Sequence, residues 1–270
     1  MSDHGRMHVP GPDVADHHPA PGSDDPGRSG VPGPSQPEQS PHFHRRVTSF
    51  RARRSTISDG QQATWDRLWP QLGTQARNGD APAPLLDTAA WFGRRAPVVV
   101  EIGCGTGTST LEMAMAEPDL DVVAVEVYRR GLAQLLAAID RNAVSNIRLV
   151  RGDGVDVLAH MFGPASLTGV RVFFPDPWPK ARHHKRRLLQ TDTMALIADR
   201  LRPGGVLHAA TDHQGYAEHI AEVGDAEPRL RRVDPGAGAL PISVSRPVTK
   251  YERKALAGPT VTELVWERIG

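Results

Sequence analysis

Residues 98–115, VVVEIGCGTGTSTLEMAM, decide the fold. Val98 to Ile102 is an apolar run broken only by Glu101, the pattern of a strand buried on both faces. Gly103, Gly105 and Gly107 follow at alternate positions, where the missing side chains let the backbone turn tightly and approach a ligand closely. Beyond them the spacing predicts a helix with an apolar stripe that includes Leu111 and Met115. A dinucleotide fingerprint wants its third small residue at position 108, but Thr108 stands there and Gly107 falls one place early. Strand, glycine turn and helix together make the first unit of a doubly wound α/β fold.

Four further apolar runs follow with helical stretches between them: VVAVEV at 122–127, IRLVRGD at 147–153, VRVFFPD at 170–176 and GGVLHAATD at 204–212. That alternation predicts parallel strands joined by crossover helices. Two more strands, expected at Pro241–Pro247 and Thr260–Arg268, bring the mostly parallel sheet to seven. On the amino-terminal side, Ser58 and Gln61 have capping-box spacing, and Trp65, Leu68, Trp69 and Leu72 recur with helical period. Both tryptophans are read as core, with base stacking as the alternative.

Acidic residues punctuate the strand ends. Glu126 closes the second strand, where a carboxylate can accept both hydroxyls of a ribose; a plain polar strand end is the alternative. Asp153, after the third strand, is placed to accept from an adenine amino group, with Asp156 as its competitor. Glu101 either meets a cationic amino group or braces the glycine loop. Pro175 and Pro177 forbid continuation of the fourth strand and so present Asp176 and Trp178 at its end. Trp178 packs under the turn or stacks on a base. Asp212 ends the fifth strand, facing a ligand or capping the next helix.

Lys180, Arg182, Lys185, Arg186 and Arg187, with His183 and His184 among them, have the cationic density that suits a polyphosphate backbone; a solvated helix start is the bland alternative. A second basic run, Arg45 to Arg54, is expected on the same face, so that the two act as one clamp.

The 270 residues, 39% of them hydrophobic, suffice for one catalytic domain with a tail. Residues 1–44 are dense in Pro, Gly, Ser, Asp and His, so they are expected to be disordered, with the domain running from 45 to 270. Residues 1–40 hold two arginines against six acids, a balance of −4; the whole chain carries +1, which leaves +5 for residues 41–270. The histidines of the tail lack the spacing of a metal site. Cys104 is the only cysteine, which excludes an intrachain disulfide and multi-cysteine metal centres. With no apolar run near ~18 residues and no signal-peptide core, a cytoplasmic location without membrane contact is expected.

The spacing E-x-G-x-G-x-G at Glu101–Gly107 resembles the first motif of class I S-adenosylmethionine methyltransferases. Taken with PDPWPKARHHKRR from Pro175 and RPVTKYERKALAGPTVTELVWER from Arg246, the chain closely resembles bacterial tRNA (guanine-N7)-methyltransferases from about Arg45 to Arg268. The resemblance implies a Rossmann-like fold, S-adenosylmethionine as methyl donor, tRNA as partner and a guanosine of its variable loop as acceptor. It implies Glu101, Gly103, Gly105, Gly107, Glu126, Asp153 and Asp176 on the cofactor side, with Asp176 also catalytic. Lys180, Asp212, Thr249, Lys250, Tyr251 and Glu252 fall on the substrate side, and Arg182, Lys185, Arg186 and Arg187 are read as RNA contacts. No metal and no obligate protein partner are implied. The tail lies outside the resemblance, and Ala255 stands where similar sequences have glycine. The rivals are an exocyclic-amine nucleic-acid methyltransferase, suggested by the likeness of PDPW to a D-P-P-Y loop, and a catalytically inactive RNA-binding protein of the same fold.

Overall fold

A computed structural model describes residues 56–236, 239–247 and 260–270. All belong to one unit, Arg45–Gly270. The tail to residue 44, the basic run at 45–54, the motif at 249–252 and Ala255 lie outside the described residues.

The first helix, α1 (Asp59–Leu72), starts where the capping box predicts: the Ser58 hydroxyl accepts from Gln61 N–H at 3.3 Å, and the Gln61 side chain accepts from Ser58 N–H at 3.0 Å. Then come β1 (Gly73–Gln75), a two-stranded hairpin of β2 (Arg77–Asn78) and β3 (Ala81–Pro82), and the short α2 (Thr88–Phe92). The central run is β4 (Val98–Ile102), α3 (Thr108–Ala116), β5 (Asp121–Glu126), α4 (Arg129–Asn142), β6 (Ile147–Arg151), α5 (Gly154–His160) and β7 (Leu167–Phe173). A 3₁₀ turn at Ala181–Arg186 follows, then α6 (Thr191–Arg200), β8 (Leu201–Thr211), α7 (Gln214–Asp225), β9 (Leu230–Arg232) and β10 (Thr262–Arg268).

The main sheet has the order β1-β6-β5-β4-β7-β8-β10-β9, parallel except where β10 pairs antiparallel with β8 and β9. From β4 the chain winds outward through β5 to β6, then crosses back to lay β7 on the other side of β4. The order therefore reverses between β4 and β7, and the loops leaving those two strands diverge to leave a crevice. Alternation along the strands divides the apolar residues: Val122, Ala124, Ile147 and Leu149 pack with α1 and α4, whereas Val100, Val123, Val170 and Leu207 pack with α5, α6 and α7. No helix among the described residues is long and apolar enough to cross a membrane.

Three expectations need correction. The sheet has eight strands rather than seven, because β1 and β9 add three-residue edges too short to show a period. Residues 241–247 form no strand; they cross one face of the sheet as a strap. Pro241 and Pro247 cannot donate to a ladder, and between them Ile242 is buried with Val99, Leu120, Val206 and Val265. Met115 is 53% exposed, and α3 buries Thr110, Met113 and Ala114 instead. The inward phase of α3 is set by a buried threonine, which hydropathy scores as polar.

Candidate active site

Two adjoining cavities, of 170 Å³ and 720 Å³, open at the carboxyl ends of β4 and β7, where the strand order reverses. Glu126, Asp153 and Leu188 line the smaller; Glu101, Gly105 and Asp212 line the larger. Gly103, Phe173, Phe174, Pro175 and Asp176 belong to both. Asp176 is thus on the partition between them, with its side chain exposed. Its loop is held in an unusual shape: Phe174 (φ 50°) and Trp178 (φ 44°), two residues to either side, occupy the left-handed region that bulky residues avoid. Phe174 N–H still donates to Ala210 O at 2.8 Å, one step past the end of β7, and Trp178 is 4% exposed beneath the Arg186 guanidinium. Trp178 therefore packs under the turn, as its place between two prolines suggested.

Glu101 is buried in the middle of the sheet, and its Oε2 has no hydrogen-bond partner among the described residues. Burial pushes its carboxyl above the ordinary carboxylate range, and the Arg171 charge on the neighbouring strand pulls against that. Glu126 ties the glycine loop to the residues that lead into α4: it accepts from Gly105 N–H at 3.0 Å, from Val127 N–H at 2.7 Å and from Tyr128 N–H at 3.0 Å. Burial raises it as well, against these three bonds. Asp153 caps α5 by accepting from Val155 N–H at 2.8 Å and lines the smaller cavity, whereas its competitor Asp156 pairs with Arg77 at 3.2 Å. Asp212 does not cap α7; His213 does, accepting from Tyr216 N–H at 3.2 Å.

These residues suit S-adenosylmethionine. Glu101 lines the larger cavity with a buried carboxyl whose Oε2 has no hydrogen-bond partner among the described residues, a group that a cationic amino group would match. Gly103 (φ 77°) and Gly105 (φ 57°) turn bare backbone toward open space, so a flat, polar ligand can lie against the loop. Gly107 behaves differently: it lines neither cavity, and a Cβ there would meet Leu135 of α4 at 2.5 Å. What the structure shows for it is the close packing of α3 against α4.

Cys104 is buried beside the loop, and burial together with the charges of Glu126 and Glu101 raises its thiol well above the ordinary range, so it supplies no thiolate. Lys180, Arg182 and Lys185 are exposed beside the Asp176 loop, and Arg186 is half-buried on Trp178. Arg187 departs from the expectation of an RNA contact: it is 5% exposed, with its guanidinium turned into the protein. Charge is visible in a sequence; which of five neighbouring cations turns inward is not.

Sequence reasoning also missed a buried polar row. Glu101, Arg171 and His208 are register partners across β4, β7 and β8, so their side chains share one face. His208 meets Glu263 of β10, which also accepts from Arg246 of the strap at 3.0 Å. Arg171 reaches Glu117 and the carbonyl of Ser243, the latter at 3.2 Å. Charged residues at inward positions of otherwise apolar strands were the available signal.

Residues 95–262 match the family described as "Putative methyltransferase". The chain is 78% identical to the tRNA (guanine-N(7)-)-methyltransferase of Mycolicibacterium gilvum (strain PYR-GCK), across 99% of each protein. It is 74% identical to the protein of that name from Mycolicibacterium vanbaalenii, again across 99% of each. For the Mycobacterium avium (strain 104) protein the identity is 62%, over 99% of this chain and 100% of that one. Such coverage takes in most of residues 1–44, which the sequence reading had left outside the resemblance.

Proposed function

The chain belongs to the tRNA (guanine-N(7)-)-methyltransferase family, and from that premise we propose that its acceptor guanosine lies in the variable loop of tRNA and that Asp176 aligns it for transfer. The reaction moves a methyl group from S-adenosylmethionine to guanine N7. When bound, the cofactor supplies an electrophilic methyl carbon on a sulfonium. Glu101 takes its amino group, Glu126 the ribose hydroxyls and Asp153 the adenine amino group, with Gly103 and Gly105 presenting backbone beside them.

Guanine N7 carries a lone pair and no proton, so the protein has no base to provide and its contribution is alignment. Positive charge grows on the purine as the new bond forms, and a carboxylate held at its edge stabilises that charge more in the transition state than in the ground state. Asp176 is given this place because it alone among the described carboxylates lines both cavities. Asp212, across the larger cavity, accepts from the N1 and N2 hydrogens of the base. Lys180, Arg182 and Lys185 meet phosphates, and the motif Thr249, Lys250, Tyr251 and Glu252 completes the substrate side. A tRNA substrate supports a cytoplasmic location.

The test is to incubate the protein with tRNA and methyl-labelled donor, then map the product. Label on N7 of a variable-loop guanosine is the expected result; label on an exocyclic nitrogen, or in another loop, overturns the reading.

A further inference from the structure

Arg187 sits at the end of the basic run, yet its side chain runs beneath the active-site loop. Its Nε donates to Pro177 O at 2.9 Å, and its Nη1 donates to Gly215 O at 3.3 Å. Nη2 lies 3.2 Å from His184 Nε2, and the guanidinium stacks over the Tyr216 ring at 4.9 Å from its centroid. Tyr216 is fully buried and fixed in turn, its hydroxyl accepting from Leu189 N–H at 3.1 Å. Burial pushes that phenol up to about 12, so it stays neutral at any working pH.

The two carbonyls belong to different elements: that of Pro177 to the loop after β7, which lines the larger cavity, and that of Gly215 to α7, which starts just past the lining residue Asp212. Pro177 is the residue after Asp176, at the end of β7; Gly215 is three residues after Asp212, at the start of α7. A planar fork is suited to joining them, since its N–H groups diverge in one plane and meet two acceptors at once. We infer that Arg187 is a positioning residue, a single clamp that fixes the spacing of Asp176 and Asp212 across the acceptor cavity, and that it does not touch RNA. The inference rests on the acceptor reading of those two carboxylates.

Arg187→Lys is the deciding variant, because it keeps the charge and loses the fork. With both substrates saturating and the temperature below its melting point, kcat falls about tenfold to a hundredfold, the scale on which an ångström of misplacement acts. The dependence of tRNA affinity on salt keeps its wild-type slope. Arg182→Ala and Lys185→Ala serve as the comparison for that slope, each flattening it by about 0.7–0.9 per phosphate contact removed. Arg187→Met repeats the kcat loss where it folds; where it does not, the lysine variant still decides. A wild-type kcat in Arg187→Lys overturns the inference, as does a flattened salt slope with kcat intact in Arg187→Met, the variant that removes the charge, which would make Arg187 a phosphate contact after all. A lowered melting temperature with unchanged kcat also overturns it, since the role would then be stability alone. If Asp176→Ala turns over normally, the acceptor reading fails first; if it is inactive while Arg187→Lys is normal, only the clamp is rejected.

Discussion

Glu101 carries the sharpest consequence that a single side chain has here. Its carboxyl lies above the ordinary range in the free protein because burial disfavours the charge, and a cationic partner favours the ionised form. On the role proposed for Glu101, cofactor binding is expected to release a proton at pH near or below the raised value of the free enzyme, and affinity to fall as pH drops through it. Calorimetry in two buffers of different ionisation enthalpy measures that release directly. Glu101→Gln removes both the release and the acid limb, and weakens cofactor binding about tenfold to a hundredfold, the scale of a charge-assisted bond of about 1.5–3 kcal/mol. Asp176→Ala acts on rate instead: kcat falls by about two to three orders of magnitude or more, while the melting curve stays in place because the side chain is exposed. Equal turnover in this variant would remove Asp176 from the mechanism. At this scale the sequence was most legible for Glu126 and Asp153, whose positions at strand ends follow from periodicity. It was least legible for Arg187, because burial depends on a fold partner ten residues upstream and another twenty-eight downstream.

Between elements, register decides what the residues share. Because Glu101 and Arg171 are paired positions of β4 and β7, a change to the second alters the chemistry of the first. Arg171→Met removes the charge that holds the Glu101 carboxyl down, so the acid limb of cofactor binding moves to higher pH. The same change strips Glu117 of its buried partner and costs about 3–5 kcal/mol of stability in a denaturant titration. An unmoved acid limb in a folded Arg171→Met protein would show that the row does not communicate with the site. The five parallel strands could be read from sequence because each is a long apolar run closed by a turn signal. The strap could not: Ile242 and Val244 alternate as in a strand, and only the packed sheet shows that Ile242 faces down onto it. The cap of α1 was legible for the opposite reason, since its signal is entirely local. Ser58→Ala should lower stability by about 1 kcal/mol with no effect on turnover.

For the molecule as a whole, the positive charge is concentrated in residues 41–270, with +5 against −4 in the first forty, the balance that suits the former to a polyphosphate partner. An enzyme beginning at Pro41 is accordingly expected to fold and methylate at the full rate, as single-turnover assays beside the whole chain would show; a large loss of rate in a folded protein would give the tail a role in catalysis. The Asp176 loop has a consequence for how variants of this enzyme should be surveyed. Phe174 has a backbone that glycine would adopt freely, and its ring, under the Arg246 guanidinium at 4.8 Å, offsets that cost by packing. Replacing it by glycine trades one against the other, so the amount of soluble protein should change little while the loop loses its shape. A mutational library sorted by abundance will pass over position 174, and the same library sorted by methylated tRNA will stop there.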